Sequence, residues 1–319
     1  MDKLDKLANI LCQKSKIALI CHINPDGDTV SSALALSAAL KKMKKTADVF
    51  STDEISDKLK YLPFSECINK GAEEKYDIAV AIDCGDRGRL GLMAAIYDRA
   101  DIKMCVDHHK SNALDFDYAF IDPDISSTAE IVFSLIKILG KNLFDKDIAS
   151  LIYAGILTDS GMFSYPSVTA KTHRIAAELY DYGIDASDIA YNVFKKKTMR
   201  TFVLSHTVLS RAKFFCEDRI GIAIFFLKDF EETGASSDNT EGLVNSIQMI
   251  DSVKIAVTII ETGWQRFKVS IRTKDPVDAS DIAGEFGGGG HKFAAGCRIN
   301  GQIEEVTERI AKAASDRLP

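Results

Sequence analysis

The chain has 319 residues, 46% of them hydrophobic, which is enough apolar material for a sizeable core and for two domains. A formal net charge of −6 argues against broad adhesion to nucleic acid, yet leaves room for a phosphate substrate if bound divalent metals supply positive charge. Seven cysteines without a CxxC pair, no secretory signal and no apolar run of about 18 residues point to a reduced, cytoplasmic chain that does not enter a membrane.

In chain order, Leu4 to Leu11 predicts an amphipathic helix, and the apolar run from Lys16 to Cys21 predicts a buried strand. Asn24-Pro25 and Asp26-Gly27 then turn the chain. Thr29 to Lys45 reads as a helix, capped by Asp28 or Thr29 and ending in lysines. Ala47 to Phe50 predicts a second strand. Tyr76 to Asp83 predicts a third, ending on a carboxylate before the break Cys84-Gly85-Asp86-Arg87-Gly88. Ile102 to Val106 predicts a fourth, ending on Asp107-His108-His109. Strands alternating with helices argue for an α/β fold with a doubly wound, mainly parallel sheet.

From Ser127 to Tyr182 the pattern is helical, broken after Asp159 by Ser160 to Phe163 and by Pro166, with Gly183 as a stop signal. Residues 185–205 are helical in composition. The expected division is a first domain over 1–188, a helical linker over 189–205 and a second domain over 206–319. In the last of these, Thr207 to Phe215, Ile220 to Leu227, Val253 to Glu261 and Phe267 to Arg272 predict strands. Helices are expected over 240–250, 279–286 and 303–317. This is a smaller α+β domain, with Gly287-Gly288-Gly289-Gly290-His291 before its last strand.

The informative feature is where the acids and imidazoles fall. His22, Asp26, Asp28, Asp83, His108, His109 and Asp159 stand where strands or helices stop. One such residue reads most simply as a turn, a cap or core filling. A whole set points to the edge of an open sheet where ligands bind. Two histidines and four aspartates could hold two divalent ions, one carboxylate bridging them at about 3.5–4 Å. Oxygen-rich ligation with some imidazole favours manganese, and the lack of thiolates argues against structural zinc. Glycines 287–290 would let backbone N–H groups converge on a phosphate, and Arg272 could fork onto one. Lys292 and Asn245 are weaker candidates. His173 and His206 read as surface or packing residues, and Trp264 as a hairpin cover.

His22-Ile23-Asn24-Pro25-Asp26-Gly27-Asp28, Asp83, Asp107-His108-His109 and Thr158-Asp159-Ser160-Gly161-Met162-Phe163 resemble the four motifs of the DHH phosphoesterase family. Phe286 to Gly296 resembles the glycine-rich signature of the DHH-associated C-terminal domain. The motifs keep their order over nearly the whole chain, and its length is similar to that of the stand-alone oligoribonuclease and pAp-phosphatase branch. The resemblance implies that His22, Asp26 and Asp83 hold one metal, and Asp28, Asp83, His108 and Asp159 the other. Asp83, His108 and His109 would be catalytic, His109 touching the scissile phosphate or orienting a ligand, and Asp107 would steer a histidine. Arg272, Gly288, Gly289, Gly290 and His291 would hold the nucleotide across a cleft between domains.

The implied reaction shortens RNAs of two to five nucleotides to mononucleotides, with pAp as a further substrate. A cyclic dinucleotide phosphodiesterase and a nucleotide sensor without turnover are the alternatives. Expected partners are short RNAs or small nucleotides, not long duplexes, and a homodimer is compatible with the sequence. Two departures from the family pattern stand out: Ser31-Ser32 where Gly-Ser is usual, and Ser164 where a basic residue is common.

Overall fold

The computed structural model describes residues 3–71, 73–240 and 242–319, apart from the side chains of Asp238 and His291. The chain divides into two compact units, the first ending at Lys196 and the second running from Lys197 to Pro319.

The first unit contains α1 (Lys3–Gln13), β1 (Lys16–Ile20), α2 (Gly27–Lys42), β2 (Thr46–Phe50), β3 (Ile78–Ile82), α3 (Ala94–Arg99), β4 (Ile102–Asp107), β5 (Tyr118–Ile121), α4 (Thr128–Leu139), α5 (Lys146–Asp159), α6 (Ala170–Tyr180) and α7 (Ala186–Ala190). Its five strands are all parallel, in the order β2-β1-β3-β4-β5. Alternation along the strands divides the core into two layers. Ile17, Leu19, Ile78, Val80 and Ile82 join the helices α1, α2, α4 and α5 on one face. Ala18, Ile20, Ala79 and Ala81 join Leu90, Ala94 and Tyr97 on the other. Each fully buried Leu or Ile contributes about 1.5–3 kcal/mol, so the larger layer dominates the stability of this unit. The strand order reverses between β1 and β3, the position at which open α/β sheets gather ligands beyond their carboxyl ends.

One local expectation is corrected, and one strand is added. The second helix begins at Gly27, and its cap is Asp26, whose Oδ1 accepts from the N–H groups of Asp28 and Thr29 at 3.1 Å each. Asp28 therefore lies inside the first turn and is completely buried. Strand β5 lies outside the expected elements: Tyr118–Ile121 has strand-favouring residues but is only four residues long, and it sits half-buried at the sheet edge.

The second unit contains α8 (Met199–Leu209), β6 (Lys213–Phe215), β7 (Ile220–Phe225), α9 (Leu227–Thr233), α10 (Leu243–Gln248), β8 (Ile255–Gly263), β9 (Arg266–Thr273), α11 (Ala279–Gly284), β10 (Gly289–His291), β11 (Ala294–Asn300) and α12 (Ile303–Ser315). Its sheet runs β10-β11-β9-β8-β7-β6, with β7 and β8 parallel and the other pairs antiparallel. The strand expected over Thr207 to Phe215 is confined to its last three residues, β6, while 207–209 finish α8, where Leu204 and Val208, four apart, are buried on one face. Leu227 opens a helix instead of closing a strand. Trp264 sits in the turn between β8 and β9, 82% exposed, and so covers nothing. No described helix is long and apolar enough to cross a membrane.

Candidate metal centre

Four chain breaks at the carboxyl ends of β1, β3 and β4 and at the end of α5 deliver the expected acids and imidazoles to one place. His22 follows β1 and is almost fully buried. Its Nδ1 lies 2.8 Å from the Ile23 carbonyl, which turns Nε2 toward Asp83 Oδ2 at 3.6 Å and Asp26 Oδ2 at 3.7 Å. These are ion-pair separations, too long for hydrogen bonds, and Nε2 is a buried nitrogen with no hydrogen-bond partner. Burial pulls this imidazole down, but Asp26 and Asp83 override it and raise its pKa to about 9.

Asp83, one residue past β3, adopts φ of 56°, a left-handed conformation that costs a non-glycine residue roughly 1–2 kcal/mol. Such strain is held in place by surrounding contacts at functional sites. Here Thr128 Oγ1 donates to Asp83 Oδ1 at 2.9 Å, and that oxygen also stands 3.6 Å from His108 Nε2 and from His109 Nδ1. Burial raises the Asp83 pKa, and nearby Asp26 adds to it while His22 opposes.

Asp28 is gripped by the start of α4. Its Oδ2 accepts from the Thr128 N–H at 2.7 Å, and its Oδ1 from the Ala129 N–H at 2.9 Å and from Ser32 Oγ at 3.1 Å. A carboxylate from α2 thus caps α4, while Ser127, the residue at the cap position, makes no side-chain cap bond. Burial, then the charges of Asp83 and Asp159, push the Asp28 pKa well up.

His108 lies with Nδ1 3.3 Å from the Ile125 carbonyl and Nε2 3.0 Å from Asp159 Oδ2. Burial opposes its protonation, but Asp159, Asp28 and Asp83 carry its pKa to about 10. His109 is held by Asp107, whose Oδ1 is 2.7 Å from His109 Nδ1, and this pair raises the His109 pKa. Asp107 is fully buried and also accepts from Asn112 Nδ2 at 2.6 Å. Burial works to raise its pKa, and the bonds from His109 and Asn112 outweigh that and hold it below the usual range.

The donor atoms fall into three groups, each within 4.8 Å: His22, Asp26 and Asp83; Asp28, His108 and Asp159; and Asp83, His108 and His109. Asp83 and His108 each belong to two groups. The arrangement fits divalent cations. Buried carboxylates whose charges repel one another, beside an imidazole nitrogen lacking a hydrogen bond, need positive charge among them.

Sequence reasoning missed several contributors. Thr128 holds both Asp28 and Asp83, Ser32 and Asn112 each brace a carboxylate, and Glu130 accepts from Ser126 Oγ at 2.5 Å and Thr172 Oγ1 at 2.9 Å. The Ser-Ser-Thr run with Glu130 just inside an apolar segment is a helix-start signal, but nothing in it names the partner carboxylate.

The residues expected to hold substrate belong to the second unit's sheet. Arg272 on β9 pairs with Ala294 on β11, which pairs with His291 on β10, so the three stand in one row of the backbone ladder. Arg272 Nη1 donates to the Ile271 carbonyl at 3.0 Å. The side chain of His291 lies outside the described residues. The glycines do not form an open loop: Gly289 and Gly290 pair with Gly296 and Ala295. A Cβ on Gly288 would stand 2.2 Å from the Gly296 carbonyl oxygen, so that glycine serves close strand packing, while Gly289 faces open space. Lys292 pairs with Asp275 at 2.6 Å, and Asn245 lies on α10.

Known proteins bear on the whole chain. Residues 16–156 match the family model described as DHH family, N-terminal domain, and residues 220–318 match the DHHA1 domain. The bifunctional oligoribonuclease and PAP phosphatase NrnA of Thermus thermophilus is 29% identical over 321 residues, covering 99% of this chain and 95% of that protein. The Bacillus subtilis protein of the same name is 27% identical, covering 89% of each. A crystal structure of an exopolyphosphatase-related protein from Bacteroides fragilis superposes with a TM-score of 0.92 at 27% identity, covering 98% of this chain and 96% of that one. With matched N-terminal and DHHA1 domains, and with relatives aligned over nearly its full length, this chain belongs to the DHH family of phosphoesterases.

Proposed function

We propose that the protein is a manganese-dependent phosphoesterase that shortens oligoribonucleotides of two to five nucleotides to mononucleotides, and that it also removes the 3′-phosphate of pAp. The observation that carries this reading is the pairing of two buried, charge-strained aspartates, Asp28 and Asp83, with the buried Nε2 of His22 that lacks a hydrogen bond. The names of the Thermus and Bacillus relatives support the substrate class.

In this reading His22, Asp26 and Asp83 hold one divalent ion, and Asp28, Asp83, His108 and Asp159 the other. Bound cations supply charge neutralisation for the phosphate and a lowered pKa for an attacking water. The chain's own residues do the rest. Thr128 and Ser32 fix the carboxylates so that they need not reorganise during the reaction. Asp107 orients His109 toward a non-bridging phosphate oxygen. Arg272, Gly289, Gly290 and His291 hold the nucleotide, with Gly289 as the position where a base or phosphate can come closest; Gly288, expected among them, instead packs against β11 and gives its N–H to the Ala283 carbonyl at 2.9 Å.

The test is a manganese-dependent turnover panel on the purified chain: pApA, a five-nucleotide RNA, pAp and cyclic di-AMP, with products resolved over time. Linear RNAs falling to mononucleotides while the cyclic compound survives is the expected result. Fastest opening of the cyclic compound would move the assignment to cyclic dinucleotide signalling. No turnover of any substrate, with ligand still bound in chelator, would make the protein a sensor.

A further inference from the structure

A cleft of about 480 Å³ opens on the first unit among α1, β5, α4 and α6. Its floor is apolar, formed by residues such as Phe120, Ile125, Ile131 and Ile175. Its rim is cationic. Lys171 and Arg174 on α6 are exposed and have no ion-pair partner among the described residues, while Lys137 is matched by Glu178 at 2.8 Å.

We propose that this cleft binds a small organic anion with an apolar body, of the acyl or aryl carboxylate class, and that its occupancy is felt at His108. The volume lies within the range of about 300–1,000 Å³ typical of small-molecule sites. The charge balance of the rim, three cations to one acid on a chain of net charge −6, draws an anion to this place. A nucleotide is a poorer fit. The one neutral hydroxyl in the lining, on Ser134, already donates to the Glu130 carbonyl at 3.0 Å, so no neutral side-chain donor is left to read a base edge. A second copy seated about a two-fold axis would set Lys171 and Arg174 against their own images.

Two short contact chains run from the cleft wall to the metal centre. Ile125 forms part of the wall, and its carbonyl lies 3.3 Å from His108 Nδ1. Thr172, between Lys171 and Arg174, donates to Glu130 Oε1 at 2.9 Å, and the same oxygen accepts from Ser126 Oγ at 2.5 Å. Residues 125 and 126 are therefore held from α6 and from His108 at once. A ligand that draws α6 and α4 together moves this turn, and with it the ring whose Nε2 stands 3.0 Å from Asp159. The coupling rests on the metal-ligand role proposed for His108, whereas the binding does not.

The experiment is calorimetric titration of the full chain with decanoate, together with manganese titrations in its presence and absence. Saturable one-site binding is expected, with no binding of decyltrimethylammonium. Reversing the two exposed charges, Lys171→Glu with Arg174→Glu, should weaken binding by about tenfold. Ile138→Trp, which fills the cleft from an exposed position, should do the same. Decanoate should change manganese affinity by about fivefold, and manganese should change decanoate affinity by the same factor. Absent saturation, or equal binding by both variants, overturns the site. Unchanged manganese affinity with decanoate bound overturns the coupling. Failure to bind manganese at all would strike the phosphoesterase reading instead, and the decanoate titration alone would then decide whether the cleft is a binding site.

Discussion

Gly155 on α5 and Asp28 on α2 are packed so closely that a Cβ on the glycine would stand 2.9 Å from Asp28 Oδ1 and 2.7 Å from the Ala129 Cβ. Replacing an interior helix glycine by alanine normally gains about 0.5–1 kcal/mol. Here overpacking, typically about 1–3 kcal/mol, should win. Gly155→Ala is expected to lower the urea midpoint in chelator and to weaken manganese binding. An unchanged or raised midpoint would show that α5 can retreat freely.

Asp83→Asn should abolish most turnover, by about a thousandfold, while leaving the fold intact. Asparagine tolerates the left-handed backbone of this position and can still accept from Thr128. It also removes one of the mutually repelling buried charges, so stability in chelator should hold or rise. Circular dichroism melts beside a turnover assay check both halves.

In the proposed metal centre, protons and cations compete for the same imidazole nitrogens. His22 is raised to about 9 and His108 to about 10, so a divalent ion arriving at pH 7 must displace the protons of both. Groups with raised pKa values release protons on binding, hence affinity should climb as pH rises toward 9 and fall as pH drops. Calorimetry in two buffers of different ionisation enthalpy should record release of about two protons at neutral pH. Zero release would mean that the rings are already neutral.

Asp107→Asn keeps one acceptor for His109 but replaces the other with a donor facing the Asn112 amide. Turnover should fall by about 10–100-fold, the usual effect of disturbing a residue that orients another. Manganese affinity should change little, because Asp107 belongs to none of the three donor groups. A parallel collapse of metal binding would place His109 among the ligands.

The parallel sheet is legible because β1, β3 and β4 are apolar runs that end abruptly on Cys21-His22, Asp83 and Asp107-His108-His109. Those residues can be gathered into one site from sequence, since strand ends in such a sheet share an edge. What cannot be read is partnership across distance. Thr128 lies 100 residues from Asp28, and no periodicity links them. Asp26 and Asp28 exchange roles for a similar reason. Either could cap a helix, and only the arrival of α4 shows why Asp28 is drawn inside. The α8 segment misleads because Thr207 and Val208 are β-branched and favour strands locally, while packing of Leu204 and Val208 decides for helix. The glycine run looks like a loop, and the need of β11 for a partner without side chains makes half of it a strand.

Because Asp28 closes the first turn of α4 with both carboxylate oxygens, it is a poor choice for an inactive control. Its removal would fray a helix whose first residue also steadies Asp83, so lost turnover and lost structure would be inseparable. Asp159 ends its helix with a third of its side chain in solvent and makes no hydrogen bond to the α4 start among the described residues. In the proposed ligand set, Asp159→Asn is therefore the variant expected to stop turnover and hold substrate with the fold undisturbed.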